Sequence, residues 1–137
     1  MLRLPRGGLG FVATMVGAAP LAGQTVHEIR LRGDAKTGRY AFVPATIRAK
    51  PGDVLRFVVE SGAPHAVVFE GGALPPAAKA ALNEAMPRRF SDLSGPLLTV
   101  AGAEYRMTVP RLPVGRYRFF CQPQQAYEMR GELVVER

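Results

Sequence analysis

A cysteine, a glutamine and a methionine lie close together near the end of the chain, and two of them are metal-ligand types. Cys121 is the only cysteine, Gln124 follows it by three residues and Met129 by eight. Copper changes oxidation state with little rearrangement when two imidazoles, a thiolate and a weak thioether hold it. The chain has only two histidines, His27 and His65. The residue types therefore suggest copper chemistry with a shortage of imidazole.

The two histidines differ in how well they suit such a site. His27 lies in an alternating stretch, residues 25–31, which predicts an opening strand. As a ligand, His27 would have to take the place of a residue in the loop around Cys121, at the other end of the sequence. We therefore do not favour it. His65 begins an apolar run and is the better candidate. The amide oxygen of Gln124 would be a poor fourth donor.

These residues resemble the ligand motifs of the cupredoxins, the plastocyanin-like blue copper proteins. In that family a Cys-x-Pro-His run followed by Met closes the metal site, and an upstream strand supplies the other histidine. Cys121, Pro123 and Met129 match the loop, and His65 matches the upstream ligand, whereas Gln124 stands at the loop histidine. The resemblance implies an all-β Greek-key sandwich of the cupredoxin type.

Two positions beside the ligands also depart from the family pattern. Plastocyanin-like proteins commonly have Asn after the upstream histidine and a small hydroxyl residue after the cysteine. This chain has Ala66 and Gln122 there. Because outer hydrogen bonds normally orient metal ligands, losing these residues together with the loop histidine indicates that the loop no longer serves a metal.

We therefore predict that the protein binds no cofactor. In this interpretation Cys121 is a small buried apolar residue, and Met129 caps the same apolar pocket. The alternative is a copper site formed by His65, Cys121 and Met129, with Gln124 as a further donor. Such a set of soft ligands suits Cu(I), which tolerates three-coordination.

The N-terminus carries a targeting signal. Arg3 and Arg6 precede an uncharged stretch, residues 7–23, which predicts a secretory signal peptide. The same stretch is just long enough to remain as a membrane anchor with its N-terminus inside the cell. Residues 1–24 are thus a signal peptide or anchor, and residues 25–137 form one cupredoxin-like domain. Either outcome places that domain outside the cytoplasmic membrane. We predict a periplasmic or other extracytoplasmic location with membrane association.

The remaining sequence reads as strands with one helical insertion. Lys-Pro-Gly-Asp at residues 50–53 predicts a turn, and β-branched or aromatic stretches predict strands. These stretches are residues 25–31, 40–49, 54–60, 103–109, 117–121 and 131–136. Pro75 and Pro76 before an alanine-rich run, with Pro87 after it, predict a helix of about ten residues.

The charge balance favours an acidic or anionic partner. The chain has 18 Lys and Arg against 11 Asp and Glu, and removal of Arg3 and Arg6 leaves 16 against 11. Basic domains are drawn to acidic proteins or anionic lipid. An exported chain without an aromatic-basic motif is not expected to bind nucleic acid. Two groups of residues are candidates for partner contact: Arg88, Arg89 and Phe90 after the helix, and Pro123, Gln124 and Tyr127 in the ligand loop.

The sequence contains no enzyme motif, and we predict that the protein is not an enzyme. Asp53, Glu60 and Glu70 are each expected to be solvated acids at strand edges. The predicted function is a copper-free docking subunit on the extracytoplasmic side of a membrane-bound electron-transfer complex, respiratory or photosynthetic. The alternative is an exported copper-binding protein or electron carrier.

Overall fold

The computed structural model describes residues 7, 8, 10 and 23–137. Two four-stranded sheets face each other, and one α-helix and one short 3-10 helix lie in the connections. The elements are β1 (Val26–Asp34), β2 (Arg39–Val43), β3 (Thr46–Ala49), β4 (Val54–Val59), β5 (Val68–Phe69), α1 (Pro76–Ala85), β6 (Glu104–Thr108), β7 (Gly115–Phe120), a 3-10 turn (Gln125–Tyr127) and β8 (Arg130–Val135). The predicted all-β sandwich with one short helix is confirmed.

The strand order joins distant parts of the chain. One sheet has the order β2-β1-β4-β6 and the other β3-β8-β7-β5. The stretch 40–49 divides at Pro44, because its first half pairs with β1 and its second half with β8. This exchange between sheets holds the two halves of the sandwich together at one edge.

Alternating side chains of the facing strands form the core. In β4, Leu55, Phe57 and Val59 are buried, whereas their neighbours are partly exposed. Phe119 of β7 is fully buried, and its ring lies 4.9 Å from that of Phe42 and 5.6 Å from that of Phe57, centroid to centroid. Edge-to-face packing of this kind stabilises a core beyond its buried area.

The insertion after β5 begins with α1, which has proline at its first turn as the sequence predicted. Ala78 and Leu82 are buried against the sandwich. Asn83 fixes the loop that follows: its Oδ1 accepts the Leu93 amide at 2.7 Å, and its Nδ2 donates to Asp92 at 2.8 Å. The helix therefore supports loop 87–98 as well as covering the core.

Asp53 is buried, so the expectation of a solvated acid at this position is wrong. It is 5% exposed and accepts hydrogen bonds from the amides of Thr25 and Lys50 and from the His27 ring. The expectation failed because the chain before β1 covers the turn. Burial alone would raise the pKa of Asp53, but the hydrogen bonds from Lys50, His27 and Thr25 together lower it.

Replacing Asp53 with alanine should lower the free energy of unfolding by about 1–3 kcal/mol at pH 7, because amide donors would lose a buried acceptor. A lowered pKa means that the wild-type advantage is present above the ordinary aspartate pKa and lost as the pH falls below about 4. Urea unfolding at pH 7 and pH 3 measures both effects. Asp34→Ala is the control, since Asp34 is exposed and, among the described residues, its carboxylate accepts only the Lys36 amide. An equal loss in both variants would contradict the prediction.

The predicted signal peptide or anchor, residues 1–24, lies almost entirely outside the described residues. Within the part of the chain that the structure describes, no helix is long and apolar enough to cross a membrane. The anchor therefore stays a prediction from sequence.

Candidate functional site at the cysteine loop

The cysteine loop joins β7 to β8 and is closed by its own backbone. The Cys121 amide donates to the Met129 carbonyl at 2.9 Å, and the 3-10 turn Gln125–Tyr127 fills the interval. Glu128, with φ 55°, ends that turn and returns the chain to β8. The side chains of Cys121 and Met129 are both fully buried.

His65, three residues before β5, faces the Cys121 sulfur. Its Nδ1 lies 3.6 Å from Cys121 Sγ, and its Nε2 lies 2.7 Å from the Ser61 carbonyl oxygen. Because a carbonyl only accepts, Nε2 carries the proton and Nδ1 faces the sulfur as a lone pair. The Ala66 amide donates to Sγ at 3.4 Å. His65 and Cys121 thus meet in the orientation that a shared metal would need.

Gln124, at the position of the loop histidine, is too close to Cys121 for the two side chains to share a metal. It is 6% exposed, and its Oε1 lies 2.9 Å from Cys121 Sγ. Two donors on one metal, each 2.0–2.3 Å from it, lie roughly 3.5 Å apart. The Sγ to Nδ1 separation of His65 fits that value, whereas the Sγ to Oε1 separation is a hydrogen bond. The four-donor copper site of the resemblance therefore does not fit this arrangement.

The thiol is suited to donate that hydrogen bond. Burial raises the pKa of Cys121 above its ordinary value, although backbone groups at Ala66 and Gln124 oppose the rise. A protonated Sγ can donate to Gln124 Oε1, whereas metal ligation would require loss of this proton. Among the described residues no buried side-chain polar atom lacks a hydrogen-bond partner. The site satisfies itself through hydrogen bonds alone.

Removing the thiol should therefore have a moderate cost. Cys121→Ala leaves Gln124 Oε1 buried without its donor, and we expect a loss of about 1–3 kcal/mol in the free energy of unfolding. Cys121→Ser restores a donor and should lose less than Cys121→Ala. Thermal or urea unfolding of both variants measures this. A serine variant as unstable as the alanine variant would argue against the thiol as a donor.

Two tyrosines cover the site. The rings of Tyr40 and Tyr127 lie 4.9 Å apart, and Tyr40 also meets the His65 ring edge-on at 6.5 Å. Tyr40 packs over Gly33, where an added Cβ would collide with its ring. The sequence does not reveal this pair, because Tyr40 is far from the loop in the chain. The glycine at 33 inside a strand was the one available signal.

The second histidine is engaged elsewhere. His27 Nε2 lies 3.0 Å from Asp53 Oδ2, at the start of β1. This pairing agrees with the sequence interpretation that disfavoured His27 as a ligand. In the described part of the chain, no three His, Cys, Asp or Glu side chains are grouped as a metal site, although such a grouping leaves methionine and glutamine out of account.

The structure brings the two predicted contact regions together. Phe90 from loop 87–98 and Pro123 from the cysteine loop line one cleft of about 390 Å³, with Leu97 as a further wall that sequence analysis missed. Phe90 is 82% exposed and Tyr127 53% exposed. Gln124 is buried, so among the six candidates it offers little contact surface.

The two arginines of that loop differ in position. Arg88 lies with its guanidinium carbon 5.9 Å from the centre of the Tyr105 ring, a distance at which cation and ring attract. Arg89 is exposed and forms no salt bridge with any residue that the structure describes. Arg89 is therefore the arginine left available to a partner.

Similarity to known proteins agrees with this fold. The family model of copper-binding proteins, plastocyanin/azurin family, matches residues 29–136. Plastocyanin from Rumex obtusifolius is 31% identical over 109 residues, which is 80% of this chain and 99% of that protein. Chloroplastic plastocyanin from Chlamydomonas reinhardtii is 30% identical over 119 residues, 87% of this chain and 73% of that protein.

Solved structures add two further similarities. A mutant plastocyanin of fern matches with a TM-score of 0.62 at 26% identity, covering 80% of this chain and 100% of that one. Amicyanin from Paracoccus versutus matches with a TM-score of 0.52 at 20% identity, covering 84% and 83%. The second match is a likeness of fold alone.

Proposed function

The chain belongs to the plastocyanin/azurin family of copper-binding proteins. Within this family, we propose that it is a docking subunit that works without copper. In this proposal it sits on the extracytoplasmic side of a membrane-bound electron-transfer complex. The family consists of electron-transfer proteins, and the chain is not an enzyme. The prediction of a cupredoxin from two short motifs is confirmed.

The hydrogen bond from Cys121 to Gln124 carries the copper-free part of the proposal. The thiol of Cys121 donates to Gln124 Oε1 at 2.9 Å, and burial raises the pKa of this thiol, so that it keeps its proton. A copper ion would have to displace both the proton and the glutamine oxygen. Without copper, the protein keeps the fold of the family because side-chain packing, rather than a metal, holds the cysteine loop.

The surface supports the docking part. Six glutamates are each bonded to arginine side chains on the outer faces of the sheets: Glu28, Glu60, Glu70, Glu104, Glu132 and Glu136. The excess positive charge therefore falls on arginines outside these pairs, such as Arg89 and Arg111, which form no salt bridge within the described residues. Basic groups of this kind favour an acidic partner.

A second function is favoured by one specific observation. The 3.6 Å between His65 Nδ1 and Cys121 Sγ fits two ligands of one metal. His65, Cys121 and Met129 would hold a Cu(I) ion, which prefers soft sulfur ligands. In this alternative the protein would be an exported copper-binding protein or a modified electron carrier.

A copper titration separates the two functions. The reduced, purified protein is titrated with Cu(II) while the visible thiolate-to-copper absorption is read, and Cu(I) affinity is measured by competition with a chelator. We expect no intense band and no tight Cu(I) binding. Tight Cu(I) binding that Cys121→Ala abolishes would overturn the proposal and establish the second function.

The docking role needs its own experiment. A tagged chain is purified from native membranes under mild detergent, and the co-purifying proteins are identified and examined for redox cofactors by absorption spectroscopy. We expect a membrane complex that contains such cofactors, in fixed stoichiometry with the chain. Recovery of the chain alone, with no such complex, would contradict the docking role.

A further inference from the structure

An apolar cleft, which we call the Phe90 cleft, lies between loop 87–98 and the cysteine loop. It is lined by Ala66, Phe90, Ser94, Gly95, Leu97, Gln122 and Pro123. Phe90 is 82% exposed and Leu97 is 55% exposed. Its volume of about 390 Å³ lies at the lower end of the roughly 300–1,000 Å³ of ligand clefts.

The loop that presents Phe90 is held in a strained conformation. Arg88 and Leu93 have φ values of 50° and 54°, in the left-handed region that residues with side chains rarely adopt. Strain of this kind persists only where surrounding structure fixes it, and it is concentrated at binding sites and clamps. The strained backbone on both sides of Phe90 is therefore consistent with a binding role for its side chain.

Several hydrogen bonds fix this loop. The Phe90 amide donates to the Ser94 carbonyl at 2.9 Å, and the Tyr105 hydroxyl donates to the Pro87 carbonyl at 2.9 Å. Asn83 adds the two bonds to Leu93 and Asp92 described above. The rigid loop thus keeps the Phe90 side chain exposed to solvent. Such preorganisation lowers the entropy lost on binding.

The charges around the cleft are mainly positive. Segments 87–98 and 121–127 carry only three charged residues, Arg88, Arg89 and Asp92. Asp92 already bonds to Lys79 at 2.8 Å and to Asn83. The remaining charge beside Phe90 is positive, and Arg89 next to it is exposed. A basic rim around an apolar centre complements an apolar anchor flanked by carboxylates.

We propose that the Phe90 cleft receives one apolar side chain, of leucine or phenylalanine size, from an acidic segment of the partner protein. The carboxylates of that segment pair with Arg89 while the apolar side chain packs between Phe90, Leu97 and Pro123. This inference rests on the proposed docking function and specifies the chemistry of its partner. It does not depend on whether Cys121 binds copper.

Short peptides test the proposed chemistry on the full-length protein. Blocked Asp-Phe-Asp, Lys-Phe-Lys and Asp-Gly-Asp peptides are titrated while backbone amide shifts are followed by NMR. We expect Asp-Phe-Asp to shift the amides of Phe90, Leu97 and Gln122 and to bind at least about fivefold more tightly than either other peptide, with the preference over Lys-Phe-Lys falling as salt rises. Equal binding of the acidic and basic peptides, shifts located elsewhere, or no binding by any peptide would overturn the inference.

Matched variants test the residues. Phe90→Ser and Arg89→Glu should each weaken Asp-Phe-Asp binding by at least about fivefold. The controls are Val114→Ser and Arg111→Glu, which change a 57% exposed valine and another arginine outside the cleft. All four positions are at the surface, and amide spectra report whether each variant folds. Loss of binding in the controls to the same degree would overturn the inference.

An anionic membrane is the competing partner, and vesicles of phosphatidylglycerol and phosphatidylcholine test it. Binding to vesicles that Phe90→Ser abolishes, together with no preference for the acidic peptide, would assign the cleft to lipid and overturn the inference. Failure of this inference can be distinguished from failure of the proposed function. If a redox complex co-purifies equally well with wild type and with Phe90→Ser, the docking role stands and only the role of the cleft is refuted.

Discussion

Replacing Gln124 with histidine is expected to create an intense visible thiolate-to-copper absorption band that the wild-type protein lacks. The imidazole Nδ1 lies one bond closer to the backbone than the amide oxygen of glutamine. The shorter reach removes the 2.9 Å contact with Cys121 Sγ and leaves room between the two donors. His65 and Cys121 are already 3.6 Å apart, and a second imidazole completes the donor set that both copper oxidation states accept.

The expected gain in Cu(II) affinity exceeds the roughly 10–100-fold that outer residues contribute at metal sites, because a direct ligand is added. Titration with Cu(II), read by visible absorption and electron paramagnetic resonance, measures it. Cys121→Ala in the same background must remove the band, and Ala66→Asn tests whether the outer position adds to it. An unchanged spectrum in Gln124→His would show that the loop itself has lost the geometry of a metal site.

Replacing Phe119 with alanine is expected to have the largest effect on stability, a loss of about 3–5 kcal/mol in the free energy of unfolding. Phe119 is fully buried at the centre of an aromatic cluster with Phe42, Phe57 and Phe69, at centroid distances of 4.9 to 5.6 Å. Its ring also fills the space above Gly131, where an added Cβ would lie 2.5 Å from it. Removing the ring opens a cavity where the two sheets meet.

Such a loss would take much of the roughly 5–15 kcal/mol that keeps a domain of this size folded. Urea unfolding with tyrosine fluorescence measures it. Phe90→Ala is the matched control: the same residue type is deleted where it is 82% exposed, and the change should stay within about 0.5 kcal/mol. A comparable loss in both variants would mean that Phe90 belongs to the core and would also weaken the argument for the Phe90 cleft.

These two phenylalanines differ in how far the sequence pattern predicts their positions. Tyr117 and Phe119 are buried in a strand and alternate with exposed Arg116 and Arg118, so the burial of Phe119 follows from local periodicity. Phe90 lies in a loop with no periodicity, and its neighbours Arg88 and Arg89 suggested only that a contact was possible. Loop 87–98 is held on the sandwich by hydrogen bonds from Asn83 and Tyr105 and by backbone bridges to segment 65–69, which no local rule predicts.

The sequence by itself determined the sandwich, the helix with proline in its first turn, and the family, because each of these follows from residues that are neighbours in the chain. It also placed His65, Cys121 and Met129 as the remaining ligand types. The tertiary structure decided the rest. It set Gln124 Oε1 against Sγ, buried Asp53 beneath the start of β1, and joined Phe90 to Pro123 in one cleft. These facts depend on how the closed sandwich brings distant segments together, which short-range periodicity and turn chemistry do not encode.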